Sequence, residues 1–359
     1  MYETFYGLSR KPFSLLPDAA FLFPSRKHRQ AANLFDYGLM NEAGFIVISG
    51  EVGSGKTTLV RRFLKQGRAD LVVGVISNAG STVGHLLTWV AVAFGIEHQD
   101  LDPVALHERF LRFLLEHYAA GRRTVLIVDE AQNLTVENLE HLRMLSNVNN
   151  ENDLLLQIVL LGQPELLATL KRPELRQFVQ RVAVHYHLAP LAPVETALYI
   201  RHRLGVAGGR PDIFDHGACA AVHYFTNGVP RLINLLCDVA LVYGFSEDLG
   251  TIGLEPVIEA AEDRNRAGLS PFTEVPAGWD RARLCAGILA AFPPPEAIPA
   301  PEPGAKREPP KREPEPEAVP APAPEVAPVT VSVPAPVVVA PPRRRLGRLW
   351  QGMAELLRG

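Results

Sequence analysis

The sequence predicts an α/β fold, in which a parallel sheet carries helices on both faces and is followed by a small all-α domain and a disordered, proline-rich tail. Short runs of Val, Ile and Leu lack the alternation of a half-exposed strand, which is typical of parallel strands buried on both faces. These runs lie at 45–48, 71–76, 124–128 and 155–161. After Pro190 the strand pattern ends, and only helical periodicity follows. The order of elements therefore predicts an α/β domain and then a helical one.

The remaining elements are predicted from their own patterns. Residues 101–118 and 136–146 repeat apolar side chains at helical spacing between the strand runs. Residues 182–188 alternate apolar and polar side chains, which predicts a fifth strand with one more polar face. Four helices are expected in the small domain, at 194–204, 215–225, 230–245 and 254–264.

Proline marks the boundary of the tail. Within residues 271–342 lie 20 of the chain's 31 prolines. Because proline lacks a backbone donor, this stretch is expected to be an extended Pro/Ala/Glu-rich linker. The apolar residues that follow it, at 346, 349, 350, 353, 356 and 357, would share one face of a predicted basic amphipathic helix. The expected organisation is an N-terminal strap and helix at 1–40 packed on an α/β domain at 41–190, a helical domain at 191–268, the linker at 269–342 and the terminal helix at 343–359.

Composition and charge exclude several classes of protein. The 359 residues carry 36 Lys and Arg against 39 Asp and Glu, a net charge of −3, so binding to a polyanion would need a local basic patch. The three cysteines and 11 histidines show no metal-ligand spacing, and reduced core cysteines are expected. The first residues carry no secretion signal, and the apolar stretch at 284–292 is far shorter than the about 20 residues that span a bilayer. A cytoplasmic protein without a membrane span is expected.

A glycine-rich stretch directly after the first strand run matches the pattern G-x-x-x-x-G-K-[ST]. Its backbone N–H groups, with the N-terminus of the helix predicted after it, can cradle a phosphate. Lys56 can then reach the β- and γ-phosphates, and the Thr57 hydroxyl can bind Mg²⁺. The alternative is a chance glycine-rich turn, but the flanking strand and helix favour the phosphate-binding loop, or P-loop. Its residues are Gly50, Glu51, Val52, Gly53, Ser54, Gly55, Lys56, Thr57 and Thr58.

A second motif ends the third strand run with two carboxylates. Asp129 and Glu130 follow four apolar residues, at the edge of the sheet where α/β proteins bind ligands. Asp129 can hold the shell of a magnesium ion through water, and Glu130 can orient and polarise an attacking water as a general base. The alternative is an Asp-Glu helix start. The carboxylate pair favours hydrolysis over phosphorylation of a small molecule, and the absence of an Asn-Lys-x-Asp motif favours adenine over guanine.

Four further polar residues are candidates for the same site. Gln163 ends the fourth strand run and would lie beside Glu130 if that strand lies between the other two motif strands; otherwise it caps a turn. Arg176 and Arg181 precede the fifth strand, where either could reach the γ-phosphate of a neighbouring subunit or lie on a solvated face or in a salt bridge. Arg231 follows a proline at a helix start and would face the cleft between the domains, or else an exposed first turn.

These motifs, with others along the chain, form a combination that resembles a known family. The further motifs are Phe-Tyr-Gly-Leu at 5–8, Pro-Phe at 12–13, Phe-Leu-Phe at 21–23, Tyr-Gly-Leu at 37–39, Val-Asp-Glu-Ala-Gln-Asn-Leu at 128–134 and Leu-Gly-Gln-Pro-Glu-Leu at 161–166. Over about residues 1–268 the chain resembles the ExeA/GspA-type AAA+ ATPases. Members of that family serve type II secretion, pilus biogenesis of the MSHA type and exosortase/PEP-CTERM exopolysaccharide loci.

The resemblance implies a P-loop AAA+ fold of the ORC-like type, with the helical domain as a lid. The family's roles fall on Lys56 and Thr57 in Walker A, Asp129 and Glu130 in Walker B, Gln163 as sensor 1 and Arg231 as sensor 2. The aromatic residues between prolines near the N-terminus predict an extended strap near the adenine pocket. Secretion members continue through a membrane span into a peptidoglycan-binding domain, whereas this sequence continues into the proline-rich tail. This difference favours the exosortase-locus type or another envelope-linked relative.

We therefore expect an ATPase that uses ATP and Mg²⁺ to drive assembly, secretion or exopolysaccharide processes at the bacterial cell envelope. The expected partners are further copies of the chain and envelope, secretion or polysaccharide machinery. Residues 343–359 could lie on anionic lipid at the inner membrane. The alternatives are a helix that docks on a partner protein and a short helix with no partner. One alternative is a DNA-associated helper of the transposition type, which the absence of an added DNA-binding module disfavours. The other is a slow nucleotide-gated switch, which the intact Glu130 disfavours.

Overall fold

The computed structural model describes residues 1–16, 18–77, 86–150, 153–268 and 270–293. The strands found there are β1 (Phe45–Gly50), β2 (Leu71–Ile76), β3 (Arg123–Val128), β4 (Asn149–Asn150), β5 (Asp153–Leu154), β6 (Leu156–Gly162) and β7 (Val182–Leu188). Five of them form one parallel sheet in the order β2-β3-β6-β1-β7, and β4 and β5 form a separate antiparallel pair. The predicted α/β fold and all five predicted strands are confirmed.

Helices cover both faces of the sheet. Helices α1 (Arg26–Met40) and α2 (Lys56–Lys65) pack on one face. The other face carries α3 (Leu86–Phe94), α4 (Pro103–Ala119), α5 (Val136–Leu145), α6 (Pro164–Leu170) and α7 (Arg176–Val179). Every residue of β1 and β6 is buried, because both strands lie inside the sheet and between two helical layers. This is why these strands are continuous apolar runs in the sequence.

The strand order brings three motif-bearing strand ends together. β6 lies between β3 and β1, with Val128 opposite Leu160 and Ile48 opposite Leu161. The carboxyl ends of these parallel strands therefore lie side by side, and the P-loop, the carboxylate pair and Gln163 each follow one of them. The strand that ends at Gln163 therefore lies between the other two motif strands, which is the arrangement in which Gln163 was expected to lie beside Glu130.

β7 is an edge strand, and its burial alternates as predicted. Val184 and Leu188 are buried on the face covered by α1, while Ala183, His185 and His187 are exposed on the other. A half-covered edge position explains the period of two.

The helical domain contains the four predicted helices. They are α8 (Pro193–Val206), α9 (His216–Thr226), α10 (Pro230–Ser246) and α11 (Leu254–Arg266). Their core also holds aromatic side chains from the start of the chain, namely Tyr2, Tyr6, Phe13 and Phe21. The strap predicted for the first 40 residues is therefore divided: its aromatic segment packs into the helical domain, and only α1 packs on the sheet.

The expected linker begins later than the sequence predicts. Residues 270–293 include a further helix, α12 (Arg281–Ala291), which packs against α9 with Leu284 and Ile288 buried. Asp280 caps its first turn by accepting the N–H of Arg283 at 2.8 Å. Residues 277–292 contain no proline, so a helix forms where the average composition of the tail predicted none. The prediction of a linker from residue 269 is wrong for this stretch.

The rest of the predicted linker and the predicted helix at 343–359 lie outside the described residues. Among the helices that are described, none has the length and apolar character needed to cross a bilayer. Cys219 and Cys237 are buried thiols in the helical domain, and Cys285 on α12 is half-buried.

Candidate active site

The P-loop joins β1 to α2 through two glycines in the left-handed region. Gly53 has a φ of +80° and Gly55, the N-cap of α2, has a φ of +106°. A side chain is strained in this region, so both positions favour glycine. A Cβ on Gly53 would also lie 2.3 Å from the Cβ of Arg231. The loop is thus bare backbone where it faces the rest of the site, as a phosphate cradle requires.

Lys56, the first residue of α2, is buried beneath the loop. Its Nζ donates to the carbonyl oxygens of Gly50 at 2.7 Å and Glu51 at 3.0 Å. Burial lowers the pKa of Lys56, while nearby carboxylates, Glu130 first, act in the opposite direction. The Lys56 ammonium has three hydrogens, and the two carbonyls accept two of them. The third remains for an incoming anion.

Thr57 and Asp129 join the P-loop to the end of β3. The Thr57 hydroxyl donates to Oδ2 of Asp129 at 2.8 Å, and Oδ1 of Asp129 accepts the N–H of Glu130 at 2.9 Å. A hydroxyl beside a carboxylate is the all-oxygen set that Mg²⁺ prefers. These residues therefore fit the magnesium ion of a bound nucleotide.

Glu130 lies in the left-handed region, with φ 52° and ψ 40°, and its side chain is held by two amides. Its Oε2 accepts from Nε2 of Gln132 at 2.6 Å and from Nε2 of Gln163 at 3.1 Å. The Gln132 donation is the largest cause that lowers the pKa of Glu130, Gln163 and the charge of Lys56 add to it, and burial opposes it. The side chain is an ionised carboxylate in a fixed orientation.

Gln132 is a residue that the sequence reasoning missed. Besides donating to Glu130, its Oε1 accepts the backbone N–H of Gln163 at 3.0 Å, so one side chain joins the ends of β3 and β6. Its position two residues after the carboxylate pair was visible in the sequence. Only the sheet order shows that it reaches a second strand.

A cavity of about 240 Å³ opens over the P-loop. Its walls come from three parts of the chain: the N-terminal segment, the P-loop with Glu130, and the helical domain. The N-terminal wall includes Leu15, Leu16 and Phe23, and the helical wall includes Tyr199, Arg203 and Arg231. The expectation of a strap beside the nucleotide pocket agrees with this geometry, and an apolar wall opposite a phosphate cradle fits a nucleotide.

The three candidate arginines lie in different places. The backbone N–H of Arg231, at the start of α10, donates to the Gly53 carbonyl at 3.3 Å, and Arg231 lines the cavity. Arg181 is exposed, and its Nη1 donates to Oδ1 of Asn147 and to the Ser146 hydroxyl. Arg176 is exposed on α7. Within the described part of the chain, the wall of the cavity includes neither Arg176 nor Arg181.

His185 and His187 both contact the buried side chain of Ser49. Both rings lie within hydrogen-bond distance of the Ser49 hydroxyl, at 3.4 and 3.1 Å. Over the residues that the structure describes, no three His, Cys, Asp or Glu side chains are arranged to hold a metal ion.

Comparison with known proteins agrees with this geometry. Residues 39–170 match the AAA domain family. The chain is 41% identical over 247 residues to general secretion pathway protein A of Aeromonas hydrophila, an alignment that covers 68% of this chain and 45% of that protein. The chain thus spans about half the length of this curated relative.

Solved structures show the same fold at low identity. The ORC2 protein of Aeropyrum pernix, solved as ADPNP and ADP complexes, superposes with a TM-score of 0.53 at 15% identity and covers 72% of each chain. Cdc6p of Pyrobaculum aerophilum superposes with a TM-score of 0.54 at 15% identity, over 69% of this chain and 71% of that one. The predicted ORC-like arrangement is confirmed at the level of the fold.

Proposed function

We propose that this chain, an ExeA/GspA-like AAA+ protein, binds ATP with Mg²⁺ and hydrolyses it to drive assembly or secretion at the bacterial cell envelope. The observation that carries the proposal is the meeting of three strand ends at one cavity. There the P-loop, the Thr57–Asp129 pair and the amide-held Glu130 lie together. Each part is needed for hydrolysis of a nucleoside triphosphate, and their combination at one sheet edge favours that reaction.

Binding rests on the P-loop. Its backbone N–H groups and the N-terminus of α2 attract the phosphate chain, and Lys56 supplies a positive charge from below. Thr57 and Asp129 would hold the magnesium ion, which neutralises phosphate charge when bound. The apolar wall from the N-terminal segment would receive the base.

Hydrolysis rests on Glu130. Its lowered pKa keeps it ionised at neutral pH, so it can accept a proton from water as that water's oxygen bonds to the γ-phosphorus. The bond from that phosphorus to the bridging oxygen breaks, and ADP and phosphate result. Gln163, which contacts the same carboxylate oxygen, would report on the γ-phosphate.

Charge stabilisation from a second copy completes the proposed mechanism. Arg176 and Arg181 are exposed and lie outside the wall of their own cavity, so either one would act on the nucleotide of a neighbouring chain. A complementation assay tests this. Arg176→Ala and Arg181→Ala chains are each mixed with Lys56→Ala chains, which keep both arginines but lack the P-loop lysine. Recovered activity in one mixture identifies the arginine that acts in trans; failure of both mixtures contradicts the proposal.

The envelope role rests on the similarity to general secretion pathway protein A. We place the protein at the cytoplasmic face of the inner membrane, with secretion or polysaccharide machinery as its partner and residues 343–359 as its contact with anionic lipid. The likeness to the ORC and Cdc6 proteins is one of fold and is no evidence for DNA binding by this chain. DNA binding is therefore tested as an alternative below.

The test measures ATPase rates of the full chain and of Glu130→Gln. We expect the substitution to lower turnover about 100-fold or more while ATP still binds. Glu137→Gln, an exposed carboxylate at the start of α5, is the matched control and should keep the wild-type rate. Equal ATPase rates for the wild type and Glu130→Gln would show that Glu130 is not the general base. If the wild type does not turn over ATP, the result would support the alternative of a nucleotide-gated switch.

A second set of assays tests the location. The full chain is compared with a chain ending at residue 293, which keeps α12, in the presence of anionic liposomes or duplex DNA. Stimulation by liposomes that is lost with the tail supports the membrane role. Stimulation by DNA that survives the truncation contradicts it and supports the DNA-associated alternative.

A further inference from the structure

His28, in the first turn of α1, contacts the P-loop from outside the nucleotide motifs. Its Nε2 lies 3.0 Å from the carbonyl oxygen of Ser54, and its Nδ1 lies 2.8 Å from the hydroxyl of Ser25. Ser25 is the N-cap of α1, and its hydroxyl oxygen accepts the backbone N–H of His28 at 3.2 Å. His28 therefore joins the start of α1 to the backbone of the phosphate cradle.

The hydrogen-bond partners define the protonation of this ring. A carbonyl oxygen can only accept, so Nε2 of His28 carries a hydrogen and donates it to Ser54. Nδ1 then accepts the hydroxyl hydrogen of Ser25, whose oxygen remains free to accept the N–H of His28. Burial lowers the pKa of His28, which agrees with a neutral ring at pH 7.

The Ser54 carbonyl is the group whose direction matters. Ser54 precedes the N-cap Gly55, so its carbonyl lies outside the hydrogen-bond ladder of α2. A carbonyl dipole turned into the cradle would repel a phosphate. Because the peptide unit is planar and trans, a carbonyl held by His28 directs the N–H of Gly55 to the opposite side.

The approach of His28 also explains a second demand on Gly55. A Cβ at that position would lie 2.8 Å from Nε2 of His28. Gly55 thus combines a left-handed φ with a contact that no side chain would permit. The ring therefore contacts a peptide of the loop whose rotation a glycine permits.

The first turn of α1 is itself firmly held. Lys27 donates through Nζ to the carbonyl of Pro190, where β7 leads into the helical domain, and the Tyr186 hydroxyl donates to the carbonyl of Lys27 at 3.2 Å. Phe35 and Leu39 of the same helix are buried against the sheet. A side chain presented by an anchored helix can hold a flexible loop in one geometry.

We propose that His28 is a positioning residue, which holds the Ser54–Gly55 peptide with its carbonyl turned away so that the P-loop N–H groups face the phosphates of a nucleotide. This inference rests on the proposed nucleotide site and adds a residue outside its motifs. His28 also lines the cavity. In the proposed role it acts on the loop backbone and not on the reacting atoms.

The experiment compares substitutions that keep or remove the donor. In His28→Gln the side-chain amide can still donate from the ε position, whereas His28→Leu keeps a similar bulk without a donor. His107→Leu, on the exposed side of α4, is the matched control. Dissociation constants for Mg-ADP and Mg-ATP are measured by titration calorimetry on the full chain, together with the melting temperature without nucleotide and the NMR shift of the Gly55 amide.

We expect His28→Leu to weaken ADP and ATP binding about tenfold, the effect of one lost hydrogen bond, and to move the Gly55 amide resonance. His28→Gln should remain within about threefold of wild type, and the control within about twofold. Such a rescue is not expected if His28 only fills space. If His28→Leu does not fold, His28→Asn replaces it, because its shorter amide cannot reach Ser54.

Two results would overturn the inference. One is wild-type ADP and ATP affinity in His28→Leu, and the other is a loss of affinity in His28→Gln as large as that in His28→Leu. Because ADP binding needs no hydrolysis, this outcome is distinct from a failure of the proposed function. A wild-type chain that binds ADP but does not hydrolyse ATP leaves the role of His28 standing. A wild-type chain that binds neither nucleotide overturns both proposals.

Discussion

The backbone N–H of Arg231 donates to the carbonyl oxygen of Gly53 at 3.3 Å, so helix α10 of the helical domain begins directly on the P-loop. This bond joins residues from two domains at the point where a phosphate would bind. Any change in the position of α10 would therefore act on the loop itself.

Gly53→Ala should weaken ADP binding at least tenfold, because the new Cβ would lie 2.3 Å from the Cβ of Arg231 and push the loop from α10. Gly67→Ala is the control, since Gly67 also has a positive φ but has no atom within 4 Å of the added Cβ. Both variants should lose about 1 kcal/mol of unfolding free energy from backbone strain. Equal ADP affinity in the two variants, measured by calorimetry, would contradict the role given to this contact.

Gln132→Ala should raise the pKa of Glu130, because it removes the hydrogen bond that contributes most to lowering it. In the wild type the carboxylate stays ionised until the pH falls below the ordinary glutamate value, and activity is lost as the pH falls through the lowered pKa. The acid limb of the kcat profile should therefore move to higher pH in the variant. Turnover at pH 8 should also fall about tenfold from lost orientation.

The control for this substitution is Gln180→Ala, an exposed glutamine at the end of α7. Its pH profile should match that of the wild type. An acid limb that stays in place in Gln132→Ala would show that Gln132 does not determine the ionisation of Glu130.

Arg203→Met should lower the free energy of unfolding by about 2–3 kcal/mol. The buried guanidinium donates to the carbonyls of Pro12 at 2.5 Å and Ser14 at 3.2 Å, and it lies 4.5 Å from the centre of the Phe21 ring. These contacts hold the N-terminal segment against α8. Arg201→Met, an exposed arginine on the same helix, should change stability little.

Two measurements check the prediction for Arg203. Urea unfolding gives the difference in stability, and limited proteolysis should cut residues 10–18 faster in Arg203→Met than in either the wild type or the control. Unchanged proteolysis would mean that other contacts suffice to hold the segment.

Ile288→Ala should destabilise the protein by about 2–5 kcal/mol, because it leaves a cavity between α12 and α9. Ile288 is fully buried, whereas its neighbour Leu289 is 42% exposed. Leu289→Ala should therefore cost less than about 1 kcal/mol. Similar melting temperatures for the two variants would argue that α12 is not part of the core of the helical domain.

Much of the fold follows from local patterns. The apolar runs at four strands, the alternation at the fifth, the helical periodicity after Pro190 and the spacing from Gly50 to Thr58 all depend on residues close together in the sequence. Burial on two faces leaves a continuous apolar run, and a phosphate cradle needs glycines before a helix. The proline-rich tail shows the limit of this approach, because an average over 72 residues concealed the helix at Arg281–Ala291.

The site could be predicted only as separate parts. The motifs identified Lys56, Asp129 and Glu130, but strand order alone brings Gln163 to the same carboxylate. Gln132 lies in the Val-Asp-Glu-Ala-Gln-Asn-Leu motif at 128–134. Its contact with the backbone of Gln163, however, depends on which strands are neighbours. A neighbour relationship between parallel strands is not encoded by the period of either strand.

Most of the strands and helices, the phosphate-binding loop and the carboxylate pair follow from local sequence, because each depends on the spacing of residues along one segment. Tertiary structure alone decided that the N-terminal aromatics pack into the helical domain, that Arg231 begins its helix on Gly53 and that His28 reaches Ser54. The Nε–carbonyl contact of Arg203 with Pro12 joins residues 191 positions apart. Such contacts form when separate elements dock, and docking depends on the shapes of whole surfaces, which no local pattern records.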